Sequence, residues 1–231
     1  MDKLFVLGLP GSGKSTISRS IVRYVRQTYK NWFVERFCDY DILYNMFKRD
    51  TRRKDFYPVK YGGFYVTNPT KYDIALSQLG IDSHSCKQGK YGLQIIEFAR
   101  GDYLKALNLF QEDFLSNSSF LFLYADIDRC IQRVEQRMKD PRSLDDHFVP
   151  ERTFERFIKA EPEEYLRNVC THVQESYWGK HSRFRIIDSR GTIDDTLSQV
   201  KPFVDEVIKL GTVFHNWEER TVDPRELVSI R

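Results

Sequence analysis

Cysteine is scarce in this chain, and its four copies, Cys38, Cys86, Cys130 and Cys170, are scattered with no Cys-x-x-Cys pair. That spacing argues against a thiolate zinc site or a disulfide framework and makes reduced thiols in a cytoplasmic setting the expectation. The five histidines, His84, His147, His172, His181 and His215, show no metal-ligand spacing. No apolar run approaches the roughly 20 residues of a membrane span. The apolar stretch at residues 4–9 is too short and wrongly flanked for a signal peptide. A soluble intracellular protein with no membrane partner is therefore expected. Excess charge of one sign is also missing, since 36 Lys and Arg stand against 33 Asp and Glu, a net +3. Such a balance neither demands nor excludes nucleic acid. Internal repeats, low-complexity segments and the Asn-Lys-x-Asp motif of GTP switches are absent as well.

What is present is an ordinary globular composition, 41% hydrophobic and 30% charged over 231 residues. A chain of this size can bury a core without metal or disulfide staples. Its length suits one α/β domain over the whole chain, with an elaborated substrate region. Short apolar runs at Leu4–Leu7, Trp32–Cys38, Leu93–Phe98, Phe120–Ala125 and Phe184–Ile187 read as buried strands. Helical spacing fills Lys14–Tyr29, Asp41–Phe47, Pro69–Leu79, Tyr103–Leu115, Ile127–Met138, 151–160, 162–177 and Ile193–Leu210. Five strands alternating with helices predict a five-stranded parallel sheet covered by helices on both faces. In such a sheet ligands gather at the carboxyl ends of the strands. Gly8–Thr16, Asp39–Asp41, Glu97–Asp102 and Asp126 should then lie along one edge. Residues 48–91 interrupt the alternation and are expected to be an inserted acceptor-binding region. They carry a basic run, Lys48, Arg49, Arg52, Arg53 and Lys54, and an aromatic stretch with Tyr57, Tyr61, Phe64 and Tyr65. The polar loop 139–152 is expected to be a lid, and the tail 211–231 has no readable pattern.

The most specific feature is Gly8-Leu9-Pro10-Gly11-Ser12-Gly13-Lys14-Ser15-Thr16, a G-x-x-x-x-G-K-[ST] match between a strand and a helix. Glycines let backbone amides curl around a phosphate, and the helix that follows presents free amides and a positive dipole end. Gly8, Gly11, Ser12, Gly13, Lys14, Ser15 and Thr16 are the expected nucleotide-binding residues. Lys14 should reach the β- and γ-phosphates, and Ser15 should ligate Mg²⁺. ATP and Mg²⁺ are the expected cofactors.

From this loop onward the chain resembles the P-loop kinases of small molecules and nucleotides, a group holding the nucleoside monophosphate, shikimate, gluconate and adenylylsulfate kinases. The resemblance covers roughly residues 1–210, with order and spacing carrying it beyond the loop. It implies a P-loop kinase type of sheet. The Asp-x-Asp at Asp39–Asp41 is similar to one in the shikimate, gluconate and adenylylsulfate kinases. The similarity implies a magnesium-side role for Asp39 and an acceptor-side base at Asp41. The alternative is that either aspartate caps the next helix. After the third strand, Glu97-Phe98-Ala99-Arg100-Gly101-Asp102 loosely resembles the runs found there in nucleotide and deoxynucleoside kinases. Glu97 would orient the magnesium water shell and Arg100 would reach the acceptor or the transferring phosphate. The alternative is a surface arginine with a cap at Asp102. Asp126 imitates a magnesium aspartate, but its place at a helix start favours capping, and Glu97 is preferred. Arg133, Arg137 and Arg142 lead into the lid, and Arg137 and Arg142 are the expected clamps on the transferring phosphoryl, with Arg152 behind. Ser189–Thr192 falls where the family contacts adenine.

The function implied is transfer of the ATP γ-phosphoryl to a small-molecule acceptor, with Asp-x-Asp favouring a hydroxyl. A nucleoside monophosphate kinase, whose acceptor phosphate the basic run would hold, is the alternative. A polynucleotide 5′-hydroxyl kinase and a non-enzymatic nucleotide switch also stay open, with nucleic acid the less favoured acceptor.

Overall fold

The structure is a computed structural model that describes residues 1–59, 63–86, 91–116, 118–141, 143, 145–149, 154, 162–176 and 182–220, with backbone alone at 162, 163, 165 and 212–220. The expected helix at 151–160, apart from Phe154, and the residues Tyr61, Arg142 and Arg152 lie outside this set, as does the tail from 221 onward.

Strands β1 (Asp2–Gly8) and β2 (Phe33–Cys38) are linked by helix α1 (Lys14–Thr28), and α2 (Asp39–Arg49) follows β2 without a break. A small antiparallel hairpin, β3 (Phe56–Pro58) and β4 (Phe64–Val66), precedes α3 (Thr70–Ser85) and β5 (Gly92–Phe98). Then come α4 (Tyr103–Leu107), α5 (Glu112–Leu115), β6 (Ser119–Tyr124), α6 (Ile127–Lys139), α7 (Pro162–Glu175), β7 (Arg183–Asp188) and α8 (Ile193–Arg220). Five strands form one parallel sheet in the order β2-β5-β1-β6-β7. The sheet, its parallel sense and its two helical layers agree with the pattern in the sequence. Among the described residues, no helix is long and apolar enough to cross a membrane.

Alternation along β1 explains the two layers. Phe5 and Leu7 pack with α3, α4, α5 and α7, whereas Leu4 and Val6 pack with α1 and α8. All four side chains are fully buried, each worth about 1.5–3 kcal/mol. Phe5 is the hub of its layer. It stacks on Phe120 at 5.0 Å and meets Phe98, Phe110 and Phe114 edge-on.

Three helices depart from the pattern. The expected helix Tyr103–Leu115 is two, because the chain turns at Asn108 and sends Phe110 into the core beside Phe5 and Phe98. Helix α3 runs six residues past Leu79, through positions expected as loop. Within it, Gly80 lets the Phe110 ring pack close to the helix, since a Cβ there would lie 3.1 Å from that ring. Helix α8 continues past Leu210 to Arg220, into the segment that had no readable pattern.

Candidate functional site

The carboxyl ends of β1, β2 and β5 are adjacent in the sheet order, so the segments after them converge. The loop after β1 needs glycine in a literal sense. Gly8, Gly11 and Gly13 have φ of 152°, 83° and 97°, which L side chains rarely adopt. A Cβ at Gly11 would also strike the backbone of Cys130. The Gly8 amide donates to the buried Tyr103 hydroxyl at 2.8 Å, which pins the start of the loop to α4. Ser12 Oγ is buried with no hydrogen-bond partner among the described residues.

Lys14 opens α1 and donates to the Leu9 carbonyl at 2.8 Å, inside its own loop. Burial pushes its ammonium below the usual lysine range, with Glu97 pulling the other way. Ser15 Oγ donates to Glu97 Oε1 at 2.5 Å. Glu97, 2% exposed at the end of β5, also accepts from Arg36 Nε through Oε2 at 2.8 Å. Arg36 reaches on to Asp145 at 3.2 Å, and Asp145 pairs with Arg19 of α1. A continuous charge relay thus links the phosphate loop, β2, β5 and the lid segment.

The second centre is Asp39, buried in the first turn of α2. Arg100 Nη1 donates to its Oδ2 at 2.5 Å and to the Ala99 carbonyl at 2.7 Å, while Nη2 donates to the Tyr72 carbonyl at 2.9 Å. Burial raises the Asp39 carboxyl above the usual range, and Arg100 opposes this. The residue at the cap position of α2 is Cys38, so neither Asp39 nor Asp41 is the helix cap. Arg100 is no surface arginine, being 14% exposed in its side chain. Asp102 does cap, accepting from the Lys105 amide at 3.0 Å.

These groups border a cavity of about 410 Å³. Its lining includes Pro10–Ile17, Arg133, Ser189 and Gly191–Ile193 together with Asp39, Tyr40, Phe64, Val66, Tyr72 and Arg100. Arg137, Asp145 and His147 also border it. Arg133 donates to the Ser189 carbonyl at 2.7 Å, joining α6 to the loop after β7. Arg137 is buried enough that its charge is disfavoured, with Asp146 and Asp145 offsetting this. Its Nη2 donates to the His147 carbonyl at 3.4 Å.

The structure therefore brings together Gly11, Ser12, Gly13, Lys14, Ser15, Thr16, Asp39, Glu97, Arg100 and Arg137. Asp41 stands apart, exposed on α2 and not bordering the cavity. Asp126 is also apart; it occupies the cap position of α6 without a side-chain cap bond, and accepts instead from the Tyr124 hydroxyl at 3.2 Å. None of Lys48, Arg49, Arg52, Arg53 and Lys54 borders the cavity. Lys48 and Arg53 lie over the rings of Tyr44 and Phe47. Arg36, Asp145, Arg19, Tyr103 and Tyr40 escaped the sequence reading. Only Arg36 left a trace there, as a charged residue inside a strand.

Solved structures supply the comparison. A crystal structure of Chaetomium thermophilum Kti12 in complex with ADP-AlF3 matches at TM-score 0.51 and 15% identity, over 89% of this chain and 96% of that one. A gluconokinase from Sinorhizobium meliloti 1021 matches at TM-score 0.48 and 13% identity, over 96% of this chain and 98% of that one. A shikimate kinase from Acinetobacter baumannii, in complex with shikimate, matches at TM-score 0.43 and 14% identity, over 86% and 89%. Identities this low make the likeness one of fold. No protein-family model matches the chain, and no curated protein does.

Proposed function

From the P-loop kinase fold of this chain, we propose that the protein is an ATP- and Mg²⁺-dependent phosphotransferase that moves the γ-phosphoryl group to a hydroxyl of a small molecule. The observation that carries this reading is the single cavity bordered by Lys14, Ser15, Glu97, Asp39 and Arg100.

The residues fit the nucleotide and the metal. The left-handed glycines make a concave run of backbone, and a buried Ser12 hydroxyl lies within it. Ser15 and Glu97 offer hard oxygen donors, the kind Mg²⁺ takes. Bound there, Mg²⁺ would neutralise charge on the phosphates. Lys14 would exchange the Leu9 carbonyl for a phosphate oxygen. Arg137 would face the transferring phosphoryl and offset the charge that develops on it. Arg142 keeps the same proposed role from the lid.

On the acceptor side the geometry favours Asp39 over Asp41 as the base, because Asp39 borders the cavity and Asp41 does not. Arg100 would fix the Asp39 carboxylate by holding Oδ2. The acceptor oxygen bonds to the γ-phosphorus as the bond to the β–γ bridging oxygen breaks. That electron pair leaves on ADP, and the hydroxyl proton passes to Asp39. The four free cysteines suit a reducing compartment, which supports a cytoplasmic site of action.

The test is a transfer screen with γ-labelled ATP and Mg²⁺ against alcohols, nucleosides, nucleoside monophosphates and 5′-hydroxyl oligonucleotides. Label in a small alcohol is the expected result. Label only in a monophosphate or an oligonucleotide would replace this reading with one of those acceptors, and label only in inorganic phosphate would leave a nucleotide switch.

A further inference from the structure

The acceptor end of the cavity is built from flat rings. Tyr40 stacks nearly parallel to two of them, His147 at 3.5 Å and 8° and Phe64 at 5.6 Å and 6°. Phe47 extends the ladder beyond Phe64, at 4.8 Å and 20°. Tyr40, Phe64, Tyr72 and His147 all border the cavity. His147 and Phe148 come from the lid segment, and Phe148 meets Tyr65 of the hairpin edge-on at 5.2 Å. Lid and acceptor region therefore meet through aromatic faces. The His147 ring shows that a face of Tyr40 takes a planar heteroaromatic ring.

Among the described residues, the cations at this end are committed. Arg100 serves Asp39, two backbone carbonyls and the face of Tyr72. Arg137 is on the lid side among Asp145 and Asp146. The basic run at 48–54 is outside the cavity. A carboxylate or phosphate on the acceptor would meet Asp39 with its arginine already neutralised. Among the described lining residues, flat apolar faces beside one carboxylate–guanidinium pair suit an uncharged molecule.

Resting on the phosphotransferase reading above, we propose that the acceptor is an uncharged alcohol carrying a planar heteroaromatic ring, of the nucleoside class. The ring stacks on Tyr40 in the place that the His147 ring holds, and the hydroxyl reaches Asp39. These two residues are consecutive in the first turn of α2, so the stacking face and the base are held in fixed relation.

Binding and transfer are measured separately. The full-length protein is first saturated with Mg²⁺ and a non-hydrolysable ATP analogue, which blocks the nucleotide end. It is then titrated calorimetrically with thymidine, cytidine, adenosine and guanosine, and with gluconate and xylitol. At least one nucleoside should bind more than tenfold tighter than gluconate or xylitol. Tyr40→Leu should weaken that binding about tenfold or more, with the analogue's Kd unchanged, and Tyr40→Phe should retain it. Unchanged analogue binding also shows that the leucine variant is folded; should it fail to fold, Tyr40→Met takes its place with the same expectation. Equal or tighter binding of gluconate or xylitol, or nucleoside binding indifferent to the leucine variant, overturns the proposal. Nucleoside binding that depends on Tyr40 but is followed by no γ-phosphoryl transfer supports the ring site and removes the phosphotransferase reading. Transfer to gluconate or xylitol alone does the reverse.

Discussion

At the scale of single residues, the site is decided by which carboxylates are buried and what holds them. Asp39 and Asp41 are indistinguishable as sequence, since each follows a strand and each could cap a helix. The fold separates them by placing Arg100 against Asp39 and leaving Asp41 exposed. Asp39→Asn should lower kcat by about 10²–10⁴-fold, the usual worth of a positioned base, with the ATP KM little changed. Asp41→Asn should stay within a few-fold of the parent, and the reverse order in steady-state kinetics would return the base role to Asp41. Burial raises the Asp39 carboxyl, so activity should fall with decreasing pH along a limb lying above the ordinary aspartate range. Asp2 offers an independent check on burial. Its carboxyl is pushed from 3.8 up to about 6 by burial, against the pull of the terminal ammonium, Lys3 and Arg183. The folded chain therefore holds a proton that the unfolded chain has already released, and stability drops as pH rises through that interval. Above about pH 6 the loss is complete, and below about pH 4 it is absent. Asp2→Asn should match the parent near pH 3.5 and exceed it at pH 7 by roughly 3 kcal/mol at most. Urea titrations at the two pH values read this directly, and an asparagine variant less stable at pH 7 would contradict it.

Among the elements, the phosphate loop was legible and the relay behind it was not. The loop's backbone geometry can be met by few residues, so Gly8, Gly11 and Gly13 carry it in their identity. Glu97 was legible from its place at the end of a buried strand. Its partner Arg36 lies 61 residues away, and Arg36 meets Asp145 across 109 more. Only the packed sheet brings these together, and no local pattern encodes that. The break between α4 and α5 was hidden for a similar reason, because helical spacing continues through Asn108–Gln111 and the core position of Phe110 overrides it. The relay makes the lid segment depend on Asp145. Asp145→Asn should loosen it, raising the ATP KM about tenfold or more, since a broken buried pair costs up to a few kcal/mol. Limited proteolysis should speed up at 140–150, and an unaltered cleavage rate with an unaltered KM would remove the lid from the relay. The basic run tells the opposite story. As sequence it looked fit to hold an acceptor phosphate, yet its side chains are exposed and two of its cations rest on Tyr44 and Phe47. Neutralising Arg52, Arg53 and Lys54 together should leave the acceptor KM unchanged, and a raised KM would bring the run back to the site.

Across the whole molecule, topology does most of the positioning. A parallel sheet with β1 at its centre sets the phosphate loop beside the ends of β5 and β2. Glu97 and Asp39 then border one cavity without any loop having to be long. The parallel sheet was readable from alternation, whereas its strand order and the aromatic walls were not, because the order depends on packing and Tyr40, Phe64, Tyr72 and His147 come from four separate segments. Residues 48–91 thus contribute to the cavity lining through Phe64, Val66 and Tyr72, and not through their basic run. The central claim is that this chain transfers phosphoryl groups and does not merely hold nucleotide. It is tested most directly by incubating the parent and Lys14→Ala with γ-labelled ATP, Mg²⁺ and the acceptor panel, with circular dichroism confirming that the variant is folded. The account predicts label on an acceptor oxygen with the parent and none with the variant. Label confined to inorganic phosphate with the parent, or transfer undiminished in the folded variant, would contradict it.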